Sequence, residues 1–250
     1  MEELTSLKNT KVMLWRSLKD KKAREEQQAF LAEGVRTVRD ALSAGLSPLA
    51  VLLREDFRPD FSLPGNVPVY FLPDHVFRSV CDTKTPQGIA AVLPLRVKPA
   101  TGRILLALDG VQDPGNVGTI IRTADAAGFN GILLSRDCAD LFSPKVLRAT
   151  MGSVFHLGFS FPSSLAEALL DLRSRGFSVL SSQLDGDPFF DRKDVASSFV
   201  LVIGNEGNGI SLPVRETATH RLCLPMKGNA ESLNAAVAAG IMMYDLIRNM

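Results

Sequence analysis

Cysteine and histidine are scarce in this sequence. Cys81, Cys138 and Cys223 lie far apart in a chain of 250 residues. An odd number with no paired spacing argues against a disulfide framework and against zinc-ligand patterns. His75, His156 and His220 are equally scattered, so no metal is expected. Long apolar runs are missing too: none approaches the roughly 20 residues that span a bilayer. The opening stretch MEELTSLKNT starts acidic and lacks an apolar signal core, so a reducing, cytoplasmic setting is expected. There is no internal repeat and no low-complexity tract. Neither the G-x-G-x-x-G fingerprint of dinucleotide binding nor the G-x-x-x-x-G-K-[ST] phosphate loop occurs where it would be needed, which counts against a nicotinamide-dependent oxidoreductase.

What is present suits a soluble globular protein. Hydrophobic residues make up 46% and charged residues 22%, enough for a good core in one large or two small domains. The net charge of +1 hides an uneven distribution. Lys8, Lys11, Arg16, Lys19, Lys21, Lys22 and Arg24 are opposed only by Asp20 before Glu25 is reached. This basic N-terminal segment is either plain hydrophilic surface or a face for RNA phosphates.

Along the chain, apolar periodicity predicts a helix over 7–18, a solvated loop at KDKKAREE, and a strand over 28–32. A helix over 35–44, strands over 48–53 and 67–72, a helix over 73–80 and a strand over 88–93 complete a small α/β domain, 1–95. The proline-bearing stretch 94–102 reads as a linker. A second domain, 103–250, follows. Strands are expected over 103–108, 131–135, 153–157, 177–182, 199–203 and 222–224. Helices are expected over 117–127, 143–151 (with Lys145 and Arg148), 164–175, 212–218 and from Glu231 through Arg248. Unbroken apolar strands alternating with helices predict a parallel sheet covered on both faces.

Ligands of such sheets bind beyond the carboxyl ends of the strands. Three polar loops with glycines stand there, at 109–118, 204–209 and 226–234. In the first, Asn116 can cap the following helix, and Arg122 lies within two turns of its start, in reach of the same pocket mouth. In the second, Gly204, Gly207 and Gly209 let a ligand approach the backbone, and Glu206 offers a carboxylate. In the third, Ser232 and Asn234 offer a hydroxyl and an amide, while Leu233 and its neighbours offer N–H groups near a helix start. Taken singly, each loop reads as well or better as a turn or a cap.

Together and in order, the segments LDGVQDPGNVGTIIRTADAAGF from Leu108, LVIGNEGNGIS from Leu201 and LPMKGNAESLNAAVAAGI from Leu224 resemble the SpoU (TrmH-like) branch of the SPOUT RNA methyltransferases. The resemblance covers the whole second domain. The first domain, through FLAEG and TPQGIAAV, is similar to the substrate-binding module of the family's ribosomal RNA members. Ala235 stands where the family often has valine. The resemblance implies methyl transfer from S-adenosylmethionine to a ribose 2′-hydroxyl, of ribosomal RNA before transfer RNA. It also implies a C-terminal domain with a trefoil knot, which general topology rules would not suggest, and a homodimer whose RNA sites draw on both subunits. By motif match, the cofactor would lie among Gly204, Glu206, Gly207, Leu224, Met226, Ser232 and Leu233. The family's functional polar positions fall on Asn116, Arg122, Glu206, Ser232 and Asn234. Arginine is a poor base because its pKa lies above ~12, so Arg122 is read as binding a phosphate and orienting the 2′-oxygen, with its role as formal proton acceptor left open. A non-catalytic RNA-binding or ribosome-assembly protein is the rival reading, and a pure binder needs none of that polar set.

Overall fold

The computed structural model describes residues 2–248. The outermost ends of the two expected domain ranges therefore lie outside the described residues. The chain forms two compact units. One runs to Arg96 and takes in Asp140–Phe155, and the other comprises Val97–Ala139 and the chain from His156 onward.

The first unit is built on a five-stranded sheet. Its strands are β1 (Glu2–Glu3), β2 (Ala29–Glu33), β3 (Ala50–Arg54), β4 (Val69–Leu72) and β5 (Ile89–Pro94), in the order β1-β4-β3-β5-β2. β5 runs antiparallel to both of its neighbours, and the remaining pairs are parallel. The helices are α1 (Thr10–Ser17), α2 (Lys21–Gln27), α3 (Val35–Ser43) and α4 (Asp74–Val80). One face of the sheet, with Leu31, Leu52, Leu72 and Val92, packs on Val12 and Trp15 of α1 and on Val76, Phe77 and Val80 of α4.

Sequence and structure part in two places here. Helix α1 starts at Thr10, because the Asn9 side chain accepts from the Lys11 N–H and sets the first turn; Leu7, expected inside the helix, stays outside it and exposed. The expected solvated loop KDKKAREE is largely α2. Its charges pair one turn apart, Lys21 with Glu25 and Lys22 with Glu26, both at 3.9 Å. Arg24 turns inward and is 3% exposed. Its guanidinium donates to the carbonyls of Leu18 and Lys19 at 2.8 and 2.7 Å and to the carboxylate of Asp140. A charged composition thus concealed a helix organised around one buried cation.

Asp140–Phe155 carries α6 (Pro144–Thr150), which packs against β2. Met151 in the left-handed region and Gly152 at φ +94° end that helix. The chain then makes a single 3-10 turn at Ser153–Phe155, not the expected strand. The strand comes later, at β8 (Gly158–Ser160). A Cβ at residue 158 would stand 2.3 Å from the Pro99 carbonyl oxygen, so glycine fixes where this strand enters the sheet.

The second unit holds a six-stranded sheet of β6 (Ile104–Asp109), β7 (Gly131–Leu134), β8, β9 (Ser178–Pro188), β10 (Phe199–Gly204) and β11 (His220–Cys223). The order is β11-β9-β10-β6-β7-β8, and every pair is parallel. Its helices are α5 (Pro114–Ala126), α7 (Leu165–Ser174), α8 (Leu212–Arg215) and α9 (Ala235–Ile247). Leu165, Leu169 and Leu172 of α7 pack with Val214 of α8 on Leu105, Ala107, Val179, Val200 and Val202. The alternate residues Leu106, Leu108 and Leu201 are buried as well, so the sheet is covered on both sides. Helix α9 packs against β10 and along α5. It begins at Ala235, not at Glu231 as the pattern suggested, because the Asn234 side chain accepts from the Ala236 and Val237 N–H groups and acts as the cap. Among the described residues, no helix is long and apolar enough to cross a membrane, and no cluster of His, Cys, Asp and Glu could hold a metal ion. Burial pushes the thiols of Cys81 and Cys138 up, toward the neutral form.

Candidate functional site

Strand register brings the loops together. Gly204 at the end of β10 is paired with Asp109 at the end of β6. Their following loops therefore start side by side, and β11 delivers the third loop on the same edge of the sheet. At residue 204 a Cβ would stand 2.4 Å from the Gly209 carbonyl carbon and the Ile210 nitrogen, so the 204–209 loop closes on itself only over glycine. Asn205 locks that loop. Its Oδ1 accepts from the Gly207 and Asn208 N–H groups at 2.9 Å, and its Nδ2 donates to the Gly110 carbonyl of the first loop at 2.7 Å.

Asp113, not Asn116, caps α5, accepting from the Asn116 N–H at 2.7 Å. The Asn116 side chain is thereby available for other work. Its Nδ2 donates to Glu206 Oε1 at 2.8 Å, and its Oδ1 accepts from Asn234 Nδ2 at 2.9 Å. Glu206 also accepts from the N–H groups of Gln112 and Asp113 at 3.3 Å. One residue from each loop thus joins a single hydrogen-bonded line. A carboxylate only accepts, so Asn116 must turn its NH2 toward Glu206, Asn234 must turn its NH2 toward Asn116, and the Asn234 oxygen is left to cap α9. The orientation of both amides follows from the charge at one end.

Partial burial pulls the Glu206 carboxyl up, but donation from Asn116, from its own backbone and from Gln112 and Asp113 outweighs it and holds the group below its ordinary value of 4.5. A lowered carboxyl stabilises the folded state above the unfolded value and loses that contribution as pH falls through the folded one. The loop anchorage is therefore expected to be constant from neutral pH down to 4.5 and to fail below it. Carbon-13 shifts of the Glu206 carboxyl check this; a midpoint at or above 4.5 would mean that these donors do not hold the charge.

Behind the line lies a cavity of about 620 Å³, within the ~300–1,000 Å³ of small-molecule sites. Gly204, Glu206, Gly207, Leu224, Met226, Ser232 and Leu233 all line it, together with Asn234. Arg122 does not. It is exposed on α5 and held by no ion pair or side-chain hydrogen bond among the described residues. Six residues of helix carry it about 9 Å along the axis and a third of a turn around from Asn116, so within one chain it stands off from the pocket mouth that the spacing suggested. Conversely, the end of β9 supplies lining residues that the sequence reading passed over, Ser182, Gln183, Leu184 and Asp185. A strand was expected only to residue 182, but β9 runs on to Pro188 and carries Leu184-Asp185-Gly186 within it, where its pairing with β11 shifts register. A wider groove of about 1160 Å³ runs past Arg103, Asn130 and Ser197 at the amino ends of the strands. It shares no residue with the loops, and the smaller cavity is the one placed where parallel sheets bind ligands.

Residues 103–244 match the SpoU rRNA Methylase family. The chain belongs to that family. Residues 9–91 match the MRM3-like substrate binding domain. The SpoU chain described here is 39% identical to the 23S rRNA (guanosine(2553)-2'-O)-methyltransferase RlmP of Bacillus subtilis strain 168, over 98% of this chain and 99% of that one. Among solved structures it is similar to an AdoMet-bound rRNA methyltransferase from Sinorhizobium meliloti, with a TM-score of 0.87, 32% identity and coverage of 99% and 98% of the two chains. It is also similar to the SpoU methyltransferase AviRb from Streptomyces viridochromogenes in complex with AdoMet, with a TM-score of 0.83, 26% identity and coverage of 96% and 98%. The α/β class, the parallel sheet and the preceding smaller domain expected from the sequence are those of its SpoU neighbours.

Proposed function

We propose that this SpoU-family enzyme transfers a methyl group from S-adenosylmethionine to a ribose 2′-hydroxyl of ribosomal RNA in the cytoplasm. The observation that carries the reading is the hydrogen-bonded line Glu206–Asn116–Asn234, which draws three sequence-distant loops over one cavity. The cavity residues fit the cofactor. Ile203, Ile210 and Leu224 give it a buried apolar side, and Glu206, Ser232 and Asn234 give it an exposed polar mouth. Gly204, Gly207, Leu224, Met226 and Leu233 would hold it largely through backbone groups, with Glu206 and Ser232 at the rim. Bound there, the cofactor supplies an electrophilic methyl on sulfur, and the chain supplies alignment and charge. Asn116 and Asn234 each keep one N–H free of the line for a ribose or phosphate oxygen. Ser232 can accept from or donate to the same sugar.

Arg122 enters through a second copy. Val237, Ile241 and Tyr244 form an exposed apolar stripe on α9 at helical spacing, and Gly115, Thr119 and Ala126 flank Arg122 on the exposed side of α5. Packing these faces between two chains would bury the stripe and bring Arg122 to the mouth of a site, where it binds phosphate and orients the 2′-oxygen. The trefoil knot belongs to the same reading. β11 lies at the sheet edge, yet α9 packs on β10 and α5, and the intervening segment lines one cavity with Ser182–Asp185 of β9 and the loop after β10, a course that supports the knot.

The first unit is the RNA platform, with fewer free cations than the sequence offered. Lys11 pairs with Glu2 at 2.8 Å, Lys19 donates to the carbonyls of Ser79 and Cys81, and Arg24 is buried. That leaves Lys8 and Arg16 for phosphates, with Lys21 and Lys22 beside them, exposed and paired only at 3.9 Å with Glu25 and Glu26. Replacing all four with alanine should lower the slope of log affinity against log salt by about 3. The deciding experiment maps ribose methylation in RNA from cells lacking the protein. Loss of one 2′-O-methyl group from ribosomal RNA is expected, restored by the wild-type chain; an unchanged ribosomal map would overturn the substrate assignment.

A further inference from the structure

Three charged side chains line the 620 Å³ cavity: Asp185, Glu206 and Arg215. Arg215, at the end of α8, is the only cation among the described residues that line it. Its Nη2 donates to Asp185 Oδ2, on β9, at 2.7 Å. The pair is open to solvent, since the two side chains keep 35% and 68% of their surface in water. A guanidinium has five N–H groups, and a carboxylate has two accepting oxygens. Nε and Nη1 of Arg215 and Oδ1 of Asp185 have no hydrogen-bond partner among the described residues. Each member can therefore take a second partner without releasing the first.

The cofactor's own charges indicate which partner. Its sulfur carries three arms. The methyl group must face the RNA, at the mouth with Asn234. Adenosine suits the buried apolar side formed by Ile203, Ile210 and Leu224. The third arm ends in an α-ammonium and an α-carboxylate on one carbon, and a site that draws these from water has to offer them opposite charges. Glu206 already accepts from the first loop at both oxygens, from Asn116 and Asp113 at Oε1 and from Gln112 at Oε2. Asp185 and Arg215 remain, side by side and opposite in sign. A zwitterion laid against them end to end closes a ring of four alternating charges, with charge-assisted hydrogen bonds at each contact.

We infer that Arg215 and Asp185 form the subsite for the amino-acid end of the cofactor, Arg215 taking the α-carboxylate with its free N–H groups and Asp185 the α-ammonium with its free oxygen. The inference rests on the cofactor assignment above.

Calorimetry on the full-length protein separates the two. S-adenosylhomocysteine carries the amino-acid end, and 5′-methylthioadenosine keeps the adenosine and the sulfur without it. Wild-type protein should bind the first on the order of 100-fold more tightly than the second, as hydrogen bonds to charged groups at two points would give. Arg215→Gln should weaken S-adenosylhomocysteine by about tenfold and leave 5′-methylthioadenosine within about twofold. Asp185→Asn keeps an acceptor but loses the charge, so the same selective loss should be smaller, about threefold. Both unliganded variants should melt within about 2 °C of wild type, because exposed pairs contribute little to stability. A pair that only shapes the cavity wall would weaken both ligands alike, and that result overturns the inference. So would unchanged affinity for S-adenosylhomocysteine in Arg215→Gln. Should the variants not fold, wild type alone decides: equal affinity for the two ligands overturns the subsite and leaves the cofactor assignment intact. No binding of either ligand would overturn both.

Discussion

Arg122→Ala should lower the rate of methyl transfer by a factor of about 10² to 10³, the usual cost of one charge-stabilising donor, while leaving affinity for S-adenosylhomocysteine within about twofold. The two halves of this expectation have different origins. Binding is spared because Arg122 does not line the cavity. Turnover falls because a guanidinium can grip a phosphate with two parallel N–H groups and fix the sugar beside it, a geometry with no counterpart in water. Arg122→Lys separates charge from shape. An ammonium keeps the positive charge and loses the fork, so the variant should recover only part of the rate. Single-turnover kinetics at saturating RNA make the measurement. Near-normal turnover of the lysine variant, with only weakened RNA binding, would remove any specific role for the guanidinium in the chemical step.

Arg24→Met should destabilise the protein by about 3 kcal/mol, the lower end of the range for breaking a buried ion pair. The lower end applies because the Asp140 side chain keeps 20% of its surface in water and is only partly desolvated when left alone. The substitution also abandons the carbonyls of Leu18 and Lys19. Since Arg24 ties α2 to a segment 116 residues later in the chain, amide exchange should quicken throughout Asp140–Phe155 as well as in α1 and α2. Equilibrium denaturation with hydrogen exchange tests both. The double variant with Asp140→Leu should recover part of the loss, because two apolar groups no longer leave a charge stranded. A neutral single variant would show that the guanidinium is dispensable to the first unit.

The parts of the fold that were legible in sequence are those governed by runs and breaks of apolar residues. Val200–Ile203 and Leu105–Leu108 read as buried strands and are so, and the three glycine-bearing loops do meet at their carboxyl ends. What escaped was decided by individual polar atoms. Asn9, Asp113 and Asn234 each choose a helix start that periodicity puts elsewhere. Arg24 is indistinguishable from its exposed neighbours until Asp140 is seen beside it. Gln183 falls just past the strand expected over 177–182, and nothing in the polar run that follows says that β9 continues to Pro188 along the cavity. Arg122 illustrates a different limit. Spacing along a helix gives a distance, but the direction in which a side chain leaves the axis decides which surface it serves.

The carboxylate at the head of the Glu206–Asn116–Asn234 line has a consequence for how position 206 can vary. Glutamine would match glutamate atom for atom in outline, yet it carries both a giver and a taker of hydrogen. Whichever way it turned, its NH2 would face a backbone N–H of the first loop, that of Gln112 or that of Asp113, from which Glu206 accepts with both oxygens. Aspartate keeps the polarity but is one carbon short of the first loop. The position is therefore restricted by arithmetic on hydrogens as much as by room, and a substitution that looks harmless in a space-filling picture would set two donors against each other where the first and second loops meet.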